Sequence, residues 1–236
     1  MKNSILDSLP LAERARLQPF LSLVHLKIND PLIEPDQPIE SVYFPLDAVA
    51  SIQAIYAGAT ETGMIGYEGC VGVSVWLHQQ TTPTRIFVQG AGSAFRMSAD
   101  VFRREIRRTA SPLNDLMAQY THSLLMMTSY TAVCHDVHPL QARLCRWLKM
   151  MQNRIRKQEF VMKQEFLAYM LGVSRPTVSL VANSLQRLGW IHYRRGLLTV
   201  LQPEALEKGA CDCLHLIESL FQPKRRPTPA KDYPSS

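Results

Sequence analysis

"MLGVSRPTVSLVANSLQRLGW", residues 170–190, decides the fold, because a turn and a helix start follow each other within a few residues. Gly172 tolerates positive φ, which a tight turn between two helices requires. Ser174 comes next as a cap, its hydroxyl placed to accept from the free N–H groups of a new helix. Val178, Val181, Leu185 and Leu188 recur at spacings of three and four and form the expected buried stripe. Upstream, Phe166, Leu167 and Met170 give a first helix its inner face, and Ala168 is small where a second helix must cross. The pattern is a helix-turn-helix. Pro176 does not spoil it, since a backbone N–H in the first turn has no intrahelical acceptor and little is lost without it.

In this motif the first turn of the second helix enters the major groove of DNA. Arg175, Thr177 and Ser179 stand there, and the Arg175 fork suits the O6/N7 edge of guanine. Lys163, Gln164, Ser174 and Asn183 complete the expected contacts from the two helices. Beyond them, "WIHYRRGLLTVLQPEAL" (190–206) reads as a hairpin with Arg194-Arg195-Gly196 at its tip. Such a wing places Arg194 and Arg195 on phosphates, which position a protein without specifying sequence.

Charge falls in the same place. Residues 1–136 carry ten Lys/Arg against thirteen Asp/Glu, whereas residues 137–236 carry sixteen against seven. The second part is therefore the one suited to a polyanion. Hydrophobic residues at 46% and charged residues at 19% supply enough apolar material for real cores. The five cysteines are too few and too scattered for a disulfide scaffold, which with the lack of a signal-peptide core points to a cytoplasmic location. Residues 116–134 contain no charge, yet Gln119, His122, Ser123, Thr128 and Ser129 make them a poor membrane span.

The opening, "MKNSILDSLPLAERARLQPF" (1–20), reads as one amphipathic helix. Short β-rich runs follow, "SVYFPL", "VASIQAIY", "GCVGVSVWL" and "RIFVQGAG", broken by Gly, Pro and Asn-Asp, as in an antiparallel sandwich or barrel. Residues 98–108 read as a short basic helix opened by Ser98 and Asp100. From residue 111 to about 137 the spacing predicts a long helix. Its stripe of Leu113, Met117, Tyr120, Leu124, Met127, Thr131 and Cys134 predicts pairing with another helix, most simply its twin in a homodimer, the alternative being a stripe that packs on its own domain. His138-Pro139 then breaks the chain, and Leu140, Leu144, Trp147, Leu148 and Met151 give the next helix its inward face.

These parts together resemble the Crp–Fnr family of bacterial transcription regulators. The resemblance rests on "LGVSRPTVS" with "LQRLGWI", and on "VYFPLDAVASI" with "IGYEGCVG". It implies an α+β architecture: a β-roll sensor resembling a cyclic-nucleotide-binding jelly roll over 1–110, a dimerisation helix over 111–137, and a winged helix-turn-helix over 138–221. Residues 222–236, rich in proline, are expected to be disordered. It also implies a homodimer on a two-fold symmetric DNA site, with RNA polymerase as a further partner. Ser174, Arg175, Thr177 and Ser179 fall on family DNA-contact positions. Pro176 stands where a base-reading glutamate is common, and Leu180 replaces a frequent second arginine.

The sensor departs further from the family pattern. Glu68 of "GYEGCVG" is displaced by one residue, and Pro83 stands where the arginine that holds a cyclic phosphate would lie. Glu68, Gly69 and Arg85 remain as candidate effector contacts, but cyclic nucleotide binding is not expected and no cofactor is assigned. An iron–sulfur set is lacking upstream of Cys70, and His25 and His78 are only isolated candidates for haem. Pro139 disturbs any pairing of His135 with His138 on a helix, and Cys211 and Cys213, read as helical, should point apart. No metal site is therefore expected, nor an enzyme, since no nucleophile–base spacing stands out. The expected function is a sequence-specific regulator with an unidentified effector or none. Its rival is a β-roll signalling adaptor whose helix-turn-helix is vestigial.

Overall fold

The computed structural model describes residues 2–55, 59–108 and 111–222. The expected first helix is two pieces, α1 (Ser4–Asp7) and α2 (Leu11–Leu17), because Pro10 between them cannot donate and disfavours helical geometry in Leu9. Buried Asn3 anchors this end. Its Nδ2 donates to the carbonyls of Pro45 and Gly69 at 2.9 Å each, and its Oδ1 accepts from the first N–H groups of α1.

Seven strands follow: β1 (Ser22–Leu26), β2 (Pro31–Ile33), β3 (Ser41–Pro45), β4 (Val49–Ile55), β5 (Ala59–Ile65), β6 (Thr84–Gly90) and β7 (Gly92–Ser98). They form two antiparallel sheets, ordered β1-β7-β3 and β2-β6-β4-β5. One predicted strand is absent. "GCVGVSVWL" contributes a single bridge, Val71 to Tyr43, and then winds into α3 (Val73–Trp76). A short continuous apolar run suits a buried helix turn as well as a strand, and Gly72 at φ 128° makes the change of direction. The basic helix is present as α4 (Ala99–Ile106), with Ser98 at its N-cap and Asp100 in its first turn. Phe44 and Phe102 meet at 6.3 Å in a core shared with Val42, Ile65 and Met97.

The long helix α5 runs Pro112–Val137, about 39 Å at the standard rise. It stops where Pro139 forces His138 into extended geometry (φ −107°, ψ 142°). The predicted pairing stripe is corrected by its surroundings. Leu113, Met117 and Tyr120 lie in the β-roll core, while Met127 and Cys134 join the core of the C-terminal half, so these residues are buried within one chain. Leu124 and Thr131 are half-buried on the same side. The spacing correctly marked a covered face, but the cover is the chain's own. The outward apolar residues of α5 are Leu125, Val133 and Val137.

The remaining elements are α6 (Leu140–Ile155), β8 (Glu159–Val161), α7 (Gln164–Leu171), α8 (Arg175–Arg187), β9 (Ile191–Arg194), β10 (Leu197–Val200), α9 (Pro203–Gly209) and α10 (Cys213–Leu220). Strand β8 was not foreseen; it pairs with β10 and widens the hairpin into a three-stranded sheet. Helix α10 begins at Cys213, so Cys211 lies outside it and the two cysteines are not opposed on one helix. The tail beyond Gln222 falls outside the described residues. Among those residues, no helix is long and apolar enough to cross a membrane.

Helix α6 lies directly on the β-roll. A Cβ at Gly90 would come within 2.8 Å of Met151, and one at Gly66 within 2.7 Å of Arg154, so side chains there would push the helix away. Two polar contacts cross this interface. Trp147 Nε1 donates to Glu61 Oε1 at 2.8 Å, and Arg154 Nε donates to Glu68 Oε1 at 2.7 Å. Phe87 adds an edge-on contact with Phe166 of α7 at 5.5 Å.

Candidate nucleic-acid interface

The turn of the helix-turn-helix is built as its residues dictate. Gly172 caps α7 at φ 64°, and Ser174 sits in extended geometry with its Oγ accepting from Thr177 N at 3.4 Å. Pro176 occupies the first turn of α8 with no break in the helix. The buried face of α8 is Val178, Ala182 and Leu185, with Val181 half-buried. Leu188, predicted to be buried, is 50% exposed because the helix has ended and Gly189 (φ 70°) turns the chain toward β9.

Facing away from that core, Arg175, Pro176, Leu180, Asn183 and Arg187 are all exposed, with Thr177 and Ser179 half-buried beside them. Arg187 continues the spacing of Asn183 by one turn. That signal was present in the sequence. Gln164 and Ser179 are tied together, Ser179 Oγ donating to Gln164 Oε1 at 2.9 Å. Asn183 Oδ1 accepts from Gln186, whose own Oε1 accepts from Tyr193 N, so the helix is coupled to the wing.

Arg195 (φ 52°) and Gly196 (φ 79°) are the two central residues between paired Arg194 and Leu197. Two successive positive φ values make the primed turn that suits the twist of a hairpin. Arg194 and Arg195 both project into solvent. Lys163, Gln164, Glu165, Arg175, Tyr193, Arg195 and Gly196 line an open cleft of about 390 Å³. Three cations and one carboxylate face it. Glu165 pairs with Arg175 at 2.8 Å, but with side-chain exposures of 51% and 61% this contact is weak. It leaves the fork near the cleft and free to exchange partners.

The candidate effector residues are not brought together. Glu68 is engaged by Arg154, and also accepts from Gly66 N at 3.1 Å. Gly69 is covered by Tyr120, whose ring a Cβ would meet within 2.6 Å. Arg85, on β6, pairs with Glu34 at 3.1 Å. The displacement of Glu68 in the sequence thus has a structural counterpart: its carboxylate is turned to α6. Of the two isolated histidines, His25 Nδ1 lies 3.2 Å from Ser93 Oγ, and His78 sits at φ 62° in the turn after α3.

Residues 142–208, from the first turns of α6 through the wing to α9, match the family described as the Crp-like helix-turn-helix domain. This part of the chain is similar to Crp-like helix-turn-helix domains. Solved structures extend the likeness along the chain. A protein from Eubacterium rectale described as a Crp/Fnr-family transcriptional regulator superposes with a TM-score of 0.67 at 13% identity, covering 87% of this chain and 96% of that one. The c-di-GMP-responsive global regulator CLP of Xanthomonas campestris gives 0.64 at 16% identity, covering 81% and 99%. A CRP/FNR-family regulator from Thermus thermophilus gives 0.64 at 17%, covering 80% and 98%. At these identities the likeness concerns the fold alone, which is of Crp–Fnr type. No curated protein matches the chain in sequence.

Proposed function

We propose that this protein is a sequence-specific DNA-binding transcription regulator that acts as a homodimer on a two-fold symmetric site. The observation that carries the reading is the cleft joining Lys163, Arg175 and Arg195, which sets the exposed turn of α8 beside the basic tip of the wing. Arg175, with Ser174, Thr177 and Ser179, reads or positions the groove. Lys163, Arg194, Arg195 and Arg187 meet phosphates. Pro176 and Leu180 leave an apolar strip in the groove, so DNA shape carries part of the specificity. Two subunits read half-sites about 34–36 Å apart.

Selection of duplexes from a random pool by the purified protein, followed by gel-shift titration, tests this reading. Arg175→Ala is expected to weaken the selected duplex by about 1–3 kcal/mol, roughly five- to 150-fold, and to relax preference at one base pair in each half-site. Wing variants at Arg194 and Arg195 should weaken all duplexes evenly and flatten the salt dependence. If no duplex is enriched, the protein is not a sequence-specific reader, and the adaptor reading takes its place.

The dimer in this reading forms along α5 through Leu125, Val133 and Val137, the apolar residues left outward by the burial of the original stripe. Light scattering on Leu125→Glu is expected to show a shift from dimer toward monomer, with loss of binding to the full site and little change in thermal stability. A variant that remains fully dimeric would place the two-fold axis elsewhere. The reading requires no cyclic nucleotide, since Glu68, Gly69 and Arg85 make no phosphate cradle. Either an effector of another kind or constitutive activity is consistent with it, with RNA polymerase as the downstream partner.

A further inference from the structure

Four side chains with metal-binding atoms, none of them on the DNA-facing surface, converge beside the hinge. Cys134 is on the last turn of α5, and His138 is the residue that ends it. Cys211 precedes α10 and Cys213 is its first residue. Their ligand atoms all lie within 4.8 Å of one another. Cys134 Sγ is 3.4 Å from Cys211 Sγ, and Cys213 Sγ is 3.7 Å from His138 Nδ1. The three cysteines are buried, His138 is half-buried, and none of the thiols is in a disulfide.

These separations resemble the edges of one coordination tetrahedron. Zinc–sulfur bonds of about 2.3 Å and zinc–nitrogen bonds of about 2.0–2.1 Å give S···S edges near 3.8 Å and S···N edges near 3.5 Å. Soft thiolates with one imidazole favour zinc over the hard cations that prefer oxygen. Binding releases the three thiol protons to solvent and leaves three thiolates on a divalent ion, a net charge of −1. Buried Arg146 lies close enough to the cluster to act on its charge, and its Nε has no hydrogen-bond partner among the described residues. The site therefore carries its own counter-charge.

We propose that Cys134, His138, Cys211 and Cys213 bind a structural zinc ion that clamps the end of α5 to the start of α10. Four protein ligands close the coordination sphere, so the ion has no open position for chemistry. The clamp fixes the hinge at His138-Pro139, where the long helix hands over to the DNA-reading half. It does not depend on the protein's reading of DNA.

The test uses the full chain, purified with reductant and without chelator. Elemental analysis is expected to find about one zinc per chain. Cys134→Ser and Cys213→Ser should each lower that content at least tenfold, while Cys70→Ser, in the β-roll, keeps it. Should the variants fail to fold, the unmodified chain still answers: cobalt(II) added to metal-free protein should give the intense red-region absorption of tetrahedral thiolate coordination. A chain free of zinc whose cobalt spectrum stays weak overturns the proposal. So does a metal-free chain that is lighter by two hydrogens because Cys134 and Cys211 have joined as a disulfide.

Discussion

Arg154→Met is expected to lower the folding free energy by about 3–5 kcal/mol, measured by urea unfolding at neutral pH. The Arg154 and Glu68 side chains are 5% and 7% exposed, so neither is well hydrated. With the guanidinium removed, the Glu68 carboxylate keeps only the Gly66 N–H as a partner among the described residues, and its desolvation is no longer offset. The buried pair as a whole contributes much less than this, because both charges left water to form it. Arg154→Met combined with Glu68→Leu should therefore recover most of the loss. A single variant within about 1 kcal/mol of the parent would mean that water reaches the pair. The same contact joins α6 to the β-roll, so its loss loosens one of several links between them.

Glu61→Gln is expected to be stabilising above neutral pH, by up to about 3 kcal/mol. Burial raises the Glu61 carboxyl from 4.5 to about 7, against the opposing hydrogen bonds from Ser51 and Trp147 and the charges of Arg146 and Arg154. Between those two values the folded chain holds a proton that the unfolded chain has released. Stability from this group is thus greatest below about pH 4.5, falls as pH rises toward 7, and levels off above it. A glutamine keeps an oxygen for Trp147 Nε1 and has no charge to bury. The difference in unfolding free energy between variant and parent should then grow with pH and plateau. A difference that stays flat from about pH 5 to about pH 8 would show that Glu61 does not carry this proton.

The reading helix was legible in the sequence because each part of it is local. Gly172, Ser174 and Pro176 satisfy turn, cap and first-turn requirements within five residues, and the wing tip needed only Arg195-Gly196. What stayed hidden depends on partners distant in the chain. The α5 stripe announced a buried face, but its spacing is the same whether a second copy or a β-roll covers it. Glu68 was legible as an unusual residue, while its partner lies 86 positions away on α6. The cysteines were misread for a smaller reason, a helix start placed too early at Cys211. That one shift separated two side chains which the fold brings together with Cys134, 77 positions upstream.

One helix completes two interiors. The N-terminal part of α5 fills the β-roll with Leu113, Met117 and Tyr120, and its C-terminal part fills the other half with Met127 and Cys134. The chain is consequently not a pair of modules joined by a spacer. A cut at His138-Pro139 leaves the DNA-reading half with a gap where α5 had been, and a cut before Pro112 opens the β-roll instead. The β-roll and the helix-turn-helix half hold a structural member in common, and no single scission gives both a whole core.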